Sequence, residues 1–165
     1  LGQLWKEARP TTSIINDLEF YIKPNNPELI PTRNLKSVED ITFFDPCVGS
    51  AHVLCYAYDI FYKMYEEEGY NPSDIPELIL TKNLYGIDID DRAAQLASFA
   101  LMMKGRKNYR RFFRKNIAPN MLGRGDFPPS HTNPFQQIPD SCFVLIYNFP
   151  KDIPPNLLGQ GDCLQ

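Results

Sequence analysis

Between residues 51 and 68, Val53, Leu54, Ala57, Ile60, Phe61 and Met64 recur at i, i+3, i+4 and i+7. This spacing predicts a helix with one apolar face, ended by Gly69 as a C-terminal cap. A second periodic stretch over 92–104 places Ala93, Leu96, Ala97, Ala100, Leu101 and Met103 on a stripe, with Asp90 or Asp91 as its cap. Each helix follows a short run rich in β-branched or aromatic residues, 41–45 (ITFFD) and 83–88 (NLYGID), which reads as a strand. The turn NPSD separates the first helix from a short one opened by Pro76 and running to Leu80. Strand, helix, strand, helix is an α/β pattern and implies a mainly parallel sheet.

The flanks are less regular. Pro10, Pro24, Pro27 and Pro31 forbid one long helix in residues 1–40, leaving an arm with a short helix expected near 13–21. Residues 116–140 are rich in Pro, Gly and Asn and read as loop. A third, wholly apolar strand is expected at 142–147 (CFVLIY), followed by an irregular tail. The expected division is an arm over 1–40, a core over 41–150 and a tail over 151–165.

Composition narrows the class. With 165 residues, 43% hydrophobic and 22% charged, the chain has the make-up of one globular domain. No apolar run reaches the roughly 18–20 residues of a membrane span, so no membrane partner is expected. Cys47, Cys55, Cys142 and Cys163 lack the paired spacing of a zinc site; they read as small buried hydrophobes, reduced in a cytoplasmic protein, with no metal. The chain opens on Leu1, which suggests a fragment or a processed product.

Net charge is −3, yet the charge is uneven. Lys104, Arg106, Lys107, Arg110, Arg111, Arg114 and Lys115 fall within twelve residues that hold no acid. Aromatics interleave with these cations, as on phosphate-contacting surfaces. The same run also reads as a solvated helix end whose cations offset the helix dipole.

Candidate chemistry concentrates at the two strand ends. Asp45 closes the first strand, and the loop 46–51 (PCVGSA) that follows carries Gly49, Ser50 and Ala51, small enough for close backbone approach. Asp88 closes the second strand, a position from which a carboxylate accepts hydrogen bonds from a ribose diol. Together they suit an adenosine-bearing ligand better than a phosphate, which Asp45 would repel. Each acid alone also reads as an ordinary turn or helix cap. The absence of GxGxxG argues against a nicotinamide-dependent oxidoreductase.

DPCVGSAHVL resembles motif I of the amino-type DNA methyltransferases, and NLYGIDIDDRAAQLASFALMMKG resembles their motif II strand and helix. With LWKEARP upstream, residues 1–105 are most similar to the large adenine-specific methyltransferases of phage-exclusion and restriction systems. The resemblance implies an incomplete Rossmann-like methyltransferase fold that binds S-adenosyl-L-methionine. It implies that Asp45 and the loop Pro46, Gly49, Ser50 and Ala51 hold the methionine end. Asp88 would take the ribose hydroxyls, Ile89 would pack on adenine, and His52 would shape the pocket, although His52 also reads as a helix-start residue with a local hydrogen bond. Asp126 would bond the adenine amine, or form a plain turn in GRGDFP. Ala51 departs from the family's second glycine.

Adenine N6 methylation in that family uses an (Asn/Asp)-Pro-Pro-(Tyr/Phe) loop after a buried strand, with a flipped base stacked on the aromatic. No intact copy occurs here. Tyr147-Asn148-Phe149-Pro150 has the right location but altered letters, so Asn148 and Pro150 are the candidate catalytic residues or an ordinary strand-end turn. Asn133-Pro134-Phe135 is a weaker candidate. The expected function is adenine-specific DNA methylation in a defence system, with double-stranded DNA and other system subunits as partners. The alternative is an inactive module that binds cofactor, DNA or a partner.

Overall fold

The computed structural model describes residues 1–22 and 35–123. A short helix α1 (Gly2–Ala8) and a 3-10 turn (Ile14–Asp17) precede a second 3-10 turn (Val38–Asp40) and strand β1 (Phe43–Asp45). Helix α2 (His52–Glu67) follows, then α3 (Ile75–Leu78), which runs into a π-helical turn (Ile79–Asn83) and strand β2 (Leu84–Ile87). Helix α4 (Asp91–Asn108), a 3-10 turn (Phe112–Lys115) and strand β3 (Asn120–Leu122) complete the described part. The strands lie in the order β1-β2-β3 and pair in parallel, with Asp45 opposite Gly86 and Gly86 opposite Met121. This is an α/β fold on a parallel sheet, the incomplete Rossmann-like arrangement expected. Successive right-handed crossovers that advance in one direction put both connecting helices on one sheet face, and α2 does pack against α4.

The strands alternate accordingly. Phe43, Leu84, Gly86 and Met121 are covered by that helical layer, while Phe44, Tyr85, Ile87 and Leu122 are only half-buried. Leu54, Ala57, Ile60, Phe61 and Met64 of α2 are buried as the periodicity predicts, joined by Tyr58 and Tyr65, whereas Val53 faces outward. Each such large apolar side chain contributes about 1.5–3 kcal/mol on burial. The end of α2 is a Schellman cap: Gly69 adopts φ +79°, its amide donates to Glu66 O and the Tyr70 amide donates to Tyr65 O. Asp90 caps α4 by accepting from the Arg92 amide.

Four expectations are corrected. The predicted helix over 13–21 is only the 3-10 turn, and the arm's helix lies earlier, at Gly2–Ala8. That helix is held by tertiary contacts: the Trp5 indole N–H donates to Glu67 Oε2 at 2.7 Å, and Arg9 pairs with Glu68 at 2.9 Å. A strand, β3, occupies three residues of the stretch read as loop, while the strand predicted at 142–147 lies outside the described residues. The buried stripe of α4 is Ala94, Ala97, Leu101 and Gly105; Leu96 (52% exposed) and Met103 (45%) face outward. Cys47 is exposed and Cys55 half-buried, so neither is a plain core thiol.

One buried amide joins the elements at the amino end of the sheet. Asn83, fully buried, donates through Nδ2 to Val38 O and Ile41 O and accepts from the Tyr65 hydroxyl at 2.8 Å. The Tyr58 hydroxyl, by contrast, has no partner among the described residues. Tyr65→Phe is therefore expected to cost about 1–3 kcal/mol in urea unfolding, because it strands the Asn83 acceptor. Tyr58→Phe in the same assay is expected to cost nothing. Equal losses in the two variants would contradict this accounting.

Candidate functional site

The carboxyl ends of β1 and β2 lie side by side, and the segment between β1 and α2 folds over them. The Val48 amide donates to Ile87 O at 3.1 Å, and the Gly49 amide donates to Asp88 Oδ2 at 2.8 Å. These two bonds clasp the loop to the end of β2. The turn requires two left-handed residues, Gly49 (φ +51°) and Ala51 (φ +63°). Position 51 is thus one that favours glycine, and its alanine accepts a backbone strain of about 1–2 kcal/mol. Ala51 is fully buried and precedes α2, whose first residue, His52, is exposed beside exposed Ser50.

Asp45 is 7% exposed, and among the described residues only the Cys47 amide donates to it, onto Oδ1 at 3.1 Å. Burial pushes its carboxyl above the ordinary aspartate range, the Cys47 amide opposes this, and the charge of Asp88 pushes it further up. The parallel pairing of β1 with β2, Asp45 opposite Gly86, puts both acids on one rim. Asp88 accepts from Gly49 on Oδ2 and from the Asp90 amide on Oδ1 at 2.9 Å. Each oxygen keeps a second lone pair, so Asp88 can accept two further donors from a diol. Ile89, next along, is 52% exposed and offers an apolar surface beside the rim.

The close approach of loop and sheet depends on a residue the sequence reading did not single out. A Cβ on Gly86 would lie 2.3 Å from Val48 Cγ2, 2.9 Å from Met121 Sδ and 3.2 Å from Leu54 Cδ1. The signal was present, since a glycine inside a strand marks close approach. Pro46 is half-buried between Asp45 and Cys47. The structure thus brings Asp45, Pro46, Gly49, Ser50, Ala51, His52, Asp88 and Ile89 to one edge of the sheet. Asp126, Asn148 and Pro150 lie outside the described residues.

The basic run lies elsewhere. Lys104 pairs with Asp59, and Lys115 pairs with Asp74 at 3.0 Å and Glu77 at 2.8 Å. Arg106 is half-buried, while Lys107, Arg110, Arg111 and Arg114 are exposed. Among the described residues no helix is long and apolar enough to cross a membrane.

A parallel sheet whose neighbouring strands end in acids around a glycine-containing loop has the strand-end rim of a Rossmann-like fold. No family model matches the chain. It is 38% identical over 130 residues to the adenine-specific methyltransferase BrxX of Escherichia coli O9:H4 (strain HS), covering 74% of this chain and 11% of the relative. It is 42% identical over 107 residues to the adenine-specific methyltransferase PglX of Lacticaseibacillus casei (strain Zhang), covering 63% of this chain and 9% of the relative. The chain thus spans about a tenth of the length of the curated relatives it matches, and is similar to one portion of these adenine-specific methyltransferases.

Two stability outcomes follow from the rim. Gly86→Ala is expected to cost about 1–3 kcal/mol by overpacking against Val48 and Leu54; a thermal melt matching the parent would contradict the packing. For Asp45, a carboxyl raised in the folded state lowers stability progressively as pH rises from the unfolded value through the folded one. Asp45→Asn should therefore melt higher than the parent at pH 7, with the gap narrowing on acidification towards pH 4. An Asn variant that melts lower at pH 7 would refute the assigned shift.

Proposed function

We propose that this chain carries the cofactor-binding part of an S-adenosyl-L-methionine-dependent DNA methyltransferase that modifies adenine N6 in a phage-defence system. The observation that carries the reading is the pair Asp45 and Asp88, on adjacent parallel strand ends and close enough for one charge to raise the other's pKa. The similarity to two adenine-specific methyltransferases supports the chemistry. The residues present fit the cofactor. A buried carboxylate with a single described donor, Asp45, suits the ammonium of a methionine moiety. Asp88 has lone pairs left for ribose hydroxyls, and Ile89 offers a face for adenine. When bound, the cofactor supplies an electrophilic methyl group. The work of this chain is to hold it in line, since displacement at such a centre depends mainly on positioning and electrostatics.

Adenine's exocyclic amine needs acceptors for its hydrogens, a role for which the sequence offers Asn148 with Pro150. Double-stranded DNA is the substrate, and further subunits of the defence system are its partners. A second reading, a module that binds cofactor or DNA without turnover, is favoured by Phe149 and Lys151, which replace the first proline and the aromatic of the expected loop. A methylation assay on an adenine-containing duplex separates the two, because activity lost in Asn148→Ala would exclude the inactive module.

Calorimetric titration of S-adenosyl-L-methionine tests the proposal itself. The parent chain is expected to bind, and Asp45→Asn or Asp88→Ala to lose at least about tenfold, the equivalent of 1.4 kcal/mol. Affinity should fall on acidification at a pH above that of an ordinary aspartate, as Asp45 takes up its proton. No binding by the folded parent, or equal binding by both variants, would remove the basis of the reading.

A further inference from the structure

The basic run divides in two once its partners are known. Lys104 and Lys115 are engaged by Asp59, Asp74 and Glu77, and the Lys115 ammonium also lies 5.8 Å from the centre of the Tyr109 ring. Lys107, Arg110, Arg111 and Arg114 are exposed, and their side chains make no hydrogen bond or ion pair among the described residues. Phe113, between them, is 49% exposed.

This group is held in place. The Phe112 ring is buried on Gly105, where a Cβ would lie 2.9 Å from it, and so fixes the 3-10 turn to α4. From the other side, Lys115 bonds Ser73 O and the two acids, tying the turn to α3 and the residues before it. Four cations and one aromatic are thus presented along the end of α4 and the braced turn that follows it.

Their position is remote from the rim. Helix α4 starts at the carboxyl end of the sheet, where a Cβ on Gly123, just past β3, would lie 3.0 Å from Asp91 Cα. It is 18 residues long, about 27 Å at the usual rise per residue. Asn120, opening β3 at that far end, bonds the carbonyls of Leu80, Thr81 and Leu84. The cations therefore sit at the amino end of the strands, opposite Asp45 and Asp88.

We propose that Lys107, Arg110, Arg111 and Arg114, with Phe113, form a second DNA-contacting surface that holds the phosphate backbone about 27 Å from the cofactor rim. Guanidinium forks match phosphate geometry, and unpaired cations release counterions on binding a polyanion. At about 3.4 Å per base pair, that distance corresponds to roughly eight pairs of flanking duplex. The surface reads no sequence; it fixes register and orientation. The inference rests on DNA as the substrate and not on the cofactor rim.

The test measures binding of a fluorescent 20-base-pair duplex to the full chain by anisotropy, between about 50 and 200 mM salt. Replacing Lys107, Arg110, Arg111 and Arg114 with Gln together should flatten the plot of log affinity against log salt by roughly 0.9 for each phosphate that is no longer neutralised. Lys104→Gln, whose cation already faces Asp59, should leave the slope unchanged. Circular dichroism melts establish that each variant folds. An unchanged slope in the folded fourfold variant, or an equal change in Lys104→Gln, overturns the proposal. So does poly-glutamate binding as tightly as the duplex, which would make an acidic protein the partner. If Asp45→Asn abolishes cofactor binding but keeps the DNA slope, this surface stands apart from the rim. If the parent fails to bind cofactor yet shows the predicted slope change, the cofactor reading falls alone.

Discussion

Two amide-to-acceptor bonds, Val48 N to Ile87 O and Gly49 N to Asp88 Oδ2, hold the turn after β1 against the end of β2. Everything proposed for the rim depends on them. They set where α2 begins, bring Asp45 and Asp88 within electrostatic reach, and leave Ser50, His52 and Ile89 facing outward. Gly86 makes the clasp possible from below, by letting Val48 and Leu54 lie where a side chain would otherwise stand. A loop so held is preorganised, and little ordering cost remains when a ligand arrives.

The same geometry carries an internal cost. A buried carboxylate beside a second acid, with one described amide donor, is less stable ionised than it would be in water. Such tension is expected of a binding site, because a cationic ligand relieves it while the empty site bears it. The fold offsets the cost at the opposite end. There Asn83 bonds three partners, and Glu67 accepts from Trp5 and Thr12. Stability and function are thus assigned to different ends of the sheet, with the basic turn sharing the stable end.

Sequence revealed the parts whose physics is local. Helices α2 and α4 announce themselves by period, β1 and β2 by apolar runs ending in acids, and the Gly69 and Asp90 caps by residue type. Strand β3 was hidden, since Asn120 and its neighbours owe their pairing to β2 and to carbonyls contributed by residues 80–84. Helix α1 was hidden for the same reason: Trp5 and Arg9 are positioned by Glu67 and Glu68, some sixty residues away. The face of α4 was misjudged because a period locates apolar positions without saying which of two adjacent stripes meets the sheet. The rim acids were legible through a strand-end rule joined to a family resemblance. The division of the basic run was not, because only the fold shows that Lys104 and Lys115 already have acids.

The shared rim is tested most directly by site-resolved carbon NMR titration of the Asp45 carboxyl, in the parent chain and in Asp88→Asn. The account predicts that Asp45 titrates above the ordinary aspartate value and moves part of the way back when Asp88 is neutralised, with burial sustaining the remainder. An ordinary titration in the parent, or one indifferent to Asp88, would contradict it.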